Sequence, residues 1–217
     1  MTARAGRDGQ GTLRHVLAID TATGAGAVAL RAGEETRARP LEWRGSFRQA
    51  PPAIEGLLAE AGIRLTELDA IVVPAGPGSF TGLRVGAALA LGLARIAAVP
   101  LHAVPTLAGV AEAGAPPGAV RVCATLDARR GRRYAAIYAR EGAARWELLA
   151  GPVDGTPSEI AALAAGAPEI GAPATSGAST GIAAAIARLA AADPGRYALP
   201  EPAALELVYA RPGVDGP

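Results

Sequence analysis

The sequence predicts an α/β protein made of two halves with similar organisation. In the first half, short apolar runs and stretches of helical spacing follow one another in the order β-β-β-α-β-α-β, and a further helix comes next. The second half repeats the scheme, because a strand ending in an acidic residue leads through a turn to two more strands and two helices. We therefore expect two mixed sheets, each flanked by helices.

Residues 15–113 form the first predicted half, after a lead-in of residues 1–14 that is polar, rich in arginine and predicted to be disordered. Apolar runs bounded by turn residues predict the strands, at residues 16–20, 27–31, 35–43, 69–74 and 101–104. Apolar residues at helical spacing predict the helices, at residues 51–62, 83–98 and 106–113. Gly62 is expected to end the first helix, and Thr106 to cap the third.

Residues 114–217 form the second predicted half and begin with a proline-containing linker at residues 115–118. Its predicted strands are residues 120–126, 133–139 and 144–149, and its predicted helices are residues 158–165 and 180–192. The two halves match in architecture, without a repeat at the level of residues.

Composition excludes several classes of protein. The 217 residues carry 21 basic and 20 acidic side chains, and every basic one is an arginine. Without lysine the chain has neither a Schiff-base lysine nor the lysine of a P-loop. A single cysteine, Cys123, and two separate histidines, His15 and His102, predict no disulfide and no metal site.

The termini and apolar runs point to the cytoplasm. The first residues contain no apolar export segment. The longest apolar stretch, residues 85–100, is short for a membrane span and contains Arg95. We therefore expect a cytoplasmic protein without a membrane partner.

Asp20 and Thr21 are the first candidates for ligand binding. They follow an apolar strand, and in open α/β sheets ligands bind at the carboxyl ends of the strands. The carboxylate could hold a hydrated magnesium ion, and the hydroxyl could reach a phosphate. Alternatively, Asp20 closes a tight turn by accepting hydrogen bonds from its own backbone.

The segment GPGSFTGLRVG at residues 76–86 is the strongest local motif. Gly76 and Gly78 allow tight turns and close contact, and Ser79 can cap the helix that follows. The amino end of that helix would favour an anion, so a phosphate cradle is one interpretation. A purely structural strand-to-helix turn is the other.

Four arginines surround a predicted hairpin, namely Arg129, Arg130, Arg132 and Arg133. Guanidinium groups bind phosphates in pairs, so this density could contact an RNA backbone. In a chain without lysine, however, a solvated hairpin explains the same arginines.

Several motifs together resemble the TsaB (YeaZ-type) family. The resemblance is carried by LAIDTAT at residues 17–23, the glycine motif at residues 76–86, Pro100, residues 127–129 with Tyr134, and LVYAR at residues 207–211. It extends over nearly the whole chain after residue 15. Gly45–Phe47 and the pair Arg132–Arg133 depart from the family pattern, and the chain stops shortly after Arg211.

The resemblance implies two tandem half-domains of the actin/Hsp70/sugar-kinase type. It also implies a non-catalytic assembly subunit of the complex that makes threonylcarbamoyladenosine beside the anticodon of tRNA. Its partner would be the catalytic subunit TsaD, with a TsaE-type ATPase in the larger complex. The chain would form a homodimer when alone, would contact tRNA indirectly, and would meet ATP or ADP only at the partner interface.

Small residues on the predicted helices indicate where a partner of the same fold would pack. Such residues let helices approach closely. The expected contact residues are Ile54, Leu58, Leu83, Gly86, Ala87, Ala90 and Ala94. An independent ATP-dependent kinase or ATPase is the alternative, motivated by Asp20 and the glycine motif. A peptidase is not expected, because no HExxH motif or serine triad is present.

Overall fold

The computed structural model describes residues 11–24, 26–42, 46–171 and 176–209. Within them the chain forms two mixed sheets flanked by helices, which confirms the predicted α/β class. The departures at Gly45, Ser46 and Phe47 lie outside the residues whose side chains are described.

The first sheet has five strands in the order β3-β2-β1-β4-β5. These are β1 His15–Asp20, β2 Ala27–Ala32, β3 Glu35–Pro40, β4 Ala70–Pro74 and β5 Leu101–Val104. Strands β1, β2 and β3 are antiparallel neighbours, whereas β4 runs parallel to both β1 and β5. All five strands begin and end within a few residues of their predicted positions.

Two helices cover one face of this sheet. Helix α1 spans Ser46–Ala61 and helix α2 spans Phe80–Ala97, and both pack into one apolar cluster with the sheet. Helix α1 begins before its predicted start and contains two prolines near its amino end. Gly62 follows it with a positive φ of 66°, as expected of a residue that ends a helix.

The second sheet has four strands in the order β8-β7-β6-β9. They are β6 Arg121–Arg129, β7 Arg132–Arg140, β8 Trp146–Gly155 and β9 Glu169–Gly171. Sequence reasoning missed β9, because three residues are too few for an apolar pattern. Helix α4, Pro157–Ala164, packs on β7 and β8.

The two sheets share one core. Helices α3, Thr106–Gly114, and α5, Ser176–Ala192, lie together in a cluster that includes strands of both sheets. A Cβ on Gly109 would lie 2.7 Å from Ile186, so the side chain of Ile186 on α5 packs closely against the backbone of α3. The strands before and after the predicted boundary at residues 113 and 114 belong to different sheets. Helix α5 lies after this boundary but packs on strands of the first sheet.

The last described segment of the chain returns to the first half. After the short helix α6, Pro194–Tyr197, which the sequence did not predict, Leu199 donates its N–H to the carbonyl of Leu101 at 3.0 Å. Val208 donates to the carbonyl of Ala75 at 2.7 Å. Residues 199–209 thus lie against the first sheet.

Part of the predicted disordered lead-in is ordered. Residues 1–10 lie outside the described part of the chain, but Leu13 is buried and its N–H donates to the carbonyl of Ala191 at 3.2 Å. The prediction of disorder is wrong for residues 11–14, because the apolar side chain of Leu13 packs into the cluster that contains residues of α5.

Helix α2 is, by length and composition, apolar enough to cross a membrane, with a mean hydropathy of 1.4 over 18 residues. This is weak evidence, because a helix in the core of a globular protein passes the same test. Here one side of the helix packs on the first sheet.

Candidate functional site

The predicted ligand-binding residues do meet at one edge of the first sheet. The turn after β1 contacts the glycine loop that joins β4 to α2. Ser79 donates its N–H to the carbonyl of Ala22 at 3.0 Å, and a Cβ on Gly78 would lie 3.0 Å from Ala22. Asp20, Thr21, Gly76, Gly78 and Ser79 are therefore close in space. Their polar groups, however, are used within the chain.

Asp20 closes its own turn. Its carboxylate is fully buried and accepts hydrogen bonds from the N–H of Ala22 at 2.8 Å, from the N–H of Thr23 at 3.1 Å, and from the Thr23 hydroxyl. Burial raises the pKa of Asp20 to about 6, against the lowering effect of these three donors. The structure supports the turn interpretation and corrects the proposed ligand contact, because the carboxylate has no exposed surface.

Thr21 locks the amino end of α2. Its hydroxyl donates to the carbonyl of Gly82 at 2.6 Å. A Cβ on Gly82 would lie 1.9 Å from the Thr21 carbonyl oxygen, and a Cβ on Gly86 would lie 2.5 Å from the Thr21 hydroxyl oxygen. Thr21 thus packs against Gly82 and Gly86, one helical turn apart, in a space that any larger side chain at these two positions would fill. It holds a helix in place and does not reach towards a phosphate.

The glycine loop is covered by the segment around Val208. Gly76 has a φ of 107°, and a Cβ there would lie 2.2 Å from the carbonyl oxygen of Val208. The Gly76 N–H donates to the Thr106 hydroxyl at 3.1 Å. Because its neighbours are segments of the same chain, this loop supports the structural interpretation and not the phosphate cradle. The prediction that Thr106 caps α3 is wrong. Thr106 is the first residue of the helix, and Pro105 is the N-cap residue.

Ser79 performs its predicted role as a helix cap. It is the N-cap of α2, and its hydroxyl accepts a hydrogen bond from the N–H of Gly82 at 3.2 Å. This satisfies one of the N–H groups that a helix leaves unpaired at its start.

The predicted partner-contact residues face inwards. Burial in the chain's own core is common to Ile54, Leu58, Leu83, Gly86, Ala87, Ala90 and Ala94. This corrects the prediction that these side chains meet a partner. Small residues lie on both sides of α2, so their presence alone could not indicate which side packs on the sheet, whereas Arg84 and Arg95 mark the exposed side.

The opposite side of α2 is exposed. It presents Thr81, Arg84, Ala88, Gly92, Arg95 and Ile96, the last with 73% of its surface accessible. A Cβ on Gly92 would meet nothing within 4 Å. The candidate contact surface is therefore this outer face of α2, on the same helix but opposite the predicted residues.

The arginine hairpin divides into two pairs. Arg132 donates to Asp154 at 2.7 Å, and Arg133 donates to Glu169 at 3.1 Å. Arg129 and Arg130 lie at the exposed turn with positive φ values of 68° and 53°. The prediction of four RNA-binding arginines is corrected for Arg132 and Arg133, because carboxylates already neutralise them.

No group of three or more potential metal ligands occurs in the described parts of the chain. His15 lies in β1 with Nδ1 3.1 Å from the carbonyl oxygen of Glu67. His102 is buried in β5, and Cys123 is buried in β6. These three side chains lie in separate places.

Sequence reasoning missed an aromatic cluster beside the glycine loop. Phe80, 54% exposed, lies 5.1 Å from the ring of Tyr209, centroid to centroid. The Arg84 guanidinium is 4.0 Å from the Phe80 ring, and its Nε is 3.4 Å from the Tyr209 hydroxyl. Phe80 and Arg84 were visible inside the glycine motif, but only folding brings residue 209 to them.

Fold and site together define a class of two-sheet α/β proteins. In this class member, segments of the same chain occupy the edge of the first sheet where β1 and β4 end. A family model described as "TsaD: tRNA N6-adenosine threonylcarbamoyltransferase" matches residues 44–201. A protein from Pseudomonas aeruginosa, described as similar to the peptidase YeaZ, superposes with a TM-score of 0.77 at 30% identity, covering 92% of this chain and all of that one. A second structure, YeaZ from the same organism, gives a TM-score of 0.72 at 25% identity over 91% of this chain and all of that one.

Curated relatives agree with this assignment. The tRNA threonylcarbamoyladenosine biosynthesis protein TsaB of Escherichia coli K12 is 41% identical over 133 residues, which cover 60% of this chain and 58% of that protein. TsaB of Haemophilus influenzae is 40% identical over 128 residues, covering 58% and 54%. The chain thus spans somewhat more than half the length of these relatives. It belongs to the family that the TsaD model describes, and within it to the TsaB (YeaZ-type) proteins.

Proposed function

We propose that this chain is a non-catalytic assembly subunit in the synthesis of threonylcarbamoyladenosine on tRNA. The observation that carries the proposal is the filled edge of the first sheet. In this fold class that edge is where a ligand would bind. Here the Asp20 carboxylate accepts hydrogen bonds within its own turn, and Gly76 lies against Val208. The relatives named for this pathway support a role in it.

The partner in this proposal is a TsaD-type catalytic subunit that binds the outer faces of α1 and α2. On α1, Pro52, Glu55 and Ala59 are exposed, and on α2 the exposed residues include Ala88 and Gly92. Small side chains at the centre would let a partner helix approach closely. A second copy of the chain would use the same surface when TsaD is absent.

The proposal extends to the remaining components of the complex, as the family resemblance implies. A TsaE-type ATPase would join the larger complex, ATP or ADP would bind only where the partner contributes residues, and tRNA would be held mainly by the partner. The site of action would be the cytoplasm. This chain by itself would need no cofactor.

An independent kinase or ATPase of the same fold is the competing function. It would require a carboxylate able to position magnesium beside the glycine loop, and the buried Asp20 does not offer one. A peptidase would require a nucleophile with an adjacent base, and Ser79 is engaged in capping α2. Steady ATP hydrolysis that disappears in Asp20→Ala would favour the kinase.

The proposal is tested by reconstitution with the TsaD of the same organism. Gly92→Arg puts a bulky charge on the outer face of α2 where a Cβ meets nothing, so folding should be unaffected. Gly181→Arg is the matched control, because Gly181 is an exposed helical glycine on α5 with equally open surroundings. We expect Gly92→Arg to lose binding to TsaD and tRNA modification while the control keeps both. Equal activity of the two variants would refute the proposed surface.

A further inference from the structure

The outer face of α2 is asymmetric in charge. Helix α2 contains no acidic residue, and its only charged residues are Arg84 and Arg95. Both are exposed, and neither forms an ion pair with any residue that the structure describes. As far as the structure describes the chain, the residues of α2 on this face therefore carry two positive charges without an ion-pair partner and no negative charge.

These charges lie on one flank of the helix. At about 100° per residue, positions eleven apart return to within about 20° of each other and are separated by roughly 16 Å along the axis. Arg84 and Arg95 are such a pair, while Val85 and Ile96 form the corresponding pair on the other flank. Between the flanks lie the small residues Ala88 and Gly92. One flank is thus basic and the other apolar.

We propose that this asymmetry makes the outer face of α2 select a partner helix that carries carboxylates along one flank, and that it disfavours a second copy of the chain. The inference rests on the proposed function, whose contact surface it uses. The occupant is a helix with small or apolar residues at its centre and acidic residues spaced to meet both arginines.

The argument against self-pairing is geometric. A two-fold contact between antiparallel α2 helices, centred on Ala88 and Gly92, keeps each flank on the same side in both copies. Arg84 of one copy then lies opposite Arg95 of the other, and this occurs twice. The apolar flanks would meet favourably, but like charges placed opposite each other across an interface oppose association. A partner with carboxylates keeps the apolar contact and removes the repulsion.

Salt should therefore act in opposite directions on the two complexes. Raising the salt concentration from about 0.05 M to about 0.5 M shortens the screening length several-fold. We expect this to tighten association between copies of the chain and to weaken association with the TsaD of the same organism. Sedimentation equilibrium measures the first and calorimetry the second.

Charge reversal supplies the decisive variant. Arg95→Glu places a carboxylate opposite Arg84 in the two-fold contact. Self-association should tighten by about tenfold, because two repulsive pairs become attractive. Binding to TsaD should weaken by a similar factor. Arg130→Glu, on the exposed hairpin far along the chain from α2, makes the same change in net charge and should alter neither complex.

The outcomes separate the two proposals. Loss of all TsaD binding by the unaltered chain would contradict the proposed function, while the self-association measurements would still test the charge selection. If TsaD binds but Arg95→Glu behaves like Arg130→Glu in both assays, the charge selection is wrong. Self-association of Arg95→Glu that is no tighter than that of Arg130→Glu would equally overturn it.

Discussion

The hydroxyl of Thr21 donates a 2.6 Å hydrogen bond to the carbonyl of Gly82 and lies in the space that a side chain on Gly86 would need. This relationship joins the end of β1 to the first turns of α2. It makes the orientation of α2, and hence of its outer face, depend on two glycines and one threonine. Binding of a partner to α2 would therefore depend on this contact between Thr21 and the two glycines.

Gly86→Ala should destabilise the chain, whereas Gly92→Ala should not. A Cβ at position 86 would lie 2.5 Å from the Thr21 hydroxyl, while one at position 92 meets nothing within 4 Å. We expect Gly86→Ala to cost about 1–3 kcal/mol through overpacking. Gly92→Ala should gain up to about 1 kcal/mol from helix propensity.

Urea unfolding of both variants measures this difference. Adding Thr21→Ala to Gly86→Ala should recover part of the loss, because it removes the group that the new methyl meets. Equal stability of the two single alanine variants would show that the space between Thr21 and Gly86 is not tightly filled.

Gly76→Ala should release the segment around Val208 from the glycine loop. The new Cβ would lie 2.2 Å from the Val208 carbonyl, and the φ of 107° is unfavourable for alanine. Gly118→Ala is the control, since Gly118 also has a positive φ, 77°, but has open space around its Cβ. Both changes should cost about 1 kcal/mol in backbone strain.

Only Gly76→Ala should accelerate hydrogen exchange at the Val208 amide, which donates to Ala75. Exchange at Val208 that is the same in both variants would mean that the C-terminal segment does not depend on contact with Gly76.

Asp20 should make stability depend on pH between about 4 and 6. Its folded pKa of about 6 lies above the ordinary value of 3.8, so the folded state holds the proton more tightly. The resulting stabilisation is complete below pH 3.8 and is lost as the pH rises through 6. The change amounts to about 3 kcal/mol at about 1.4 kcal/mol per pH unit.

Asp20→Asn keeps an acceptor for the N–H groups of Ala22 and Thr23 and cannot ionise. The unfolding free energy of the original chain minus that of this variant should therefore fall across this pH range. A difference that is constant from pH 4 to pH 7 would contradict the raised pKa.

Arg132 and Arg130 should behave differently although they share a hairpin. Arg132 pairs with Asp154, whose side chain is only 8% exposed, so Arg132→Ser should cost about 1–3 kcal/mol by leaving that carboxylate unpaired. Arg130→Ser, at the exposed turn, should change stability by less than about 0.5 kcal/mol. Thermal unfolding of both variants tests the contrast.

Binding of tRNA to this chain alone should be weak. With a net charge of +1 and two of the four hairpin arginines neutralised, few phosphates can be met. Measuring tRNA affinity across salt concentrations tests this, since each phosphate contact adds about 0.7–0.9 to the salt slope. Sub-micromolar affinity at physiological salt that Arg130→Ser abolishes would instead make the hairpin an RNA site.

Local patterns were sufficient for most of the elements. The apolar runs of β1, β2 and β4 and the helical spacing of α2 were strong enough to predict both type and approximate bounds. Strand β9 was not predicted because three residues are too few to show an alternating apolar pattern. It is a strand because it pairs with β6, which its own sequence does not indicate. The capping role of Ser79 was predictable because it depends only on residues within one turn.

By itself, the sequence determined the α/β class, the order of most elements and the presence of a glycine loop, because each of these depends on neighbours within a few residues. Tertiary structure alone decided what those glycines face. Gly76 meets Val208 and Gly86 meets Thr21, and in both pairs the partners are more than sixty positions apart. It also decided which small residues of α2 are exposed, since Gly86 and Ala90 are buried against the sheet while Ala88 and Gly92 face outwards, and residue size alone does not distinguish the two sides.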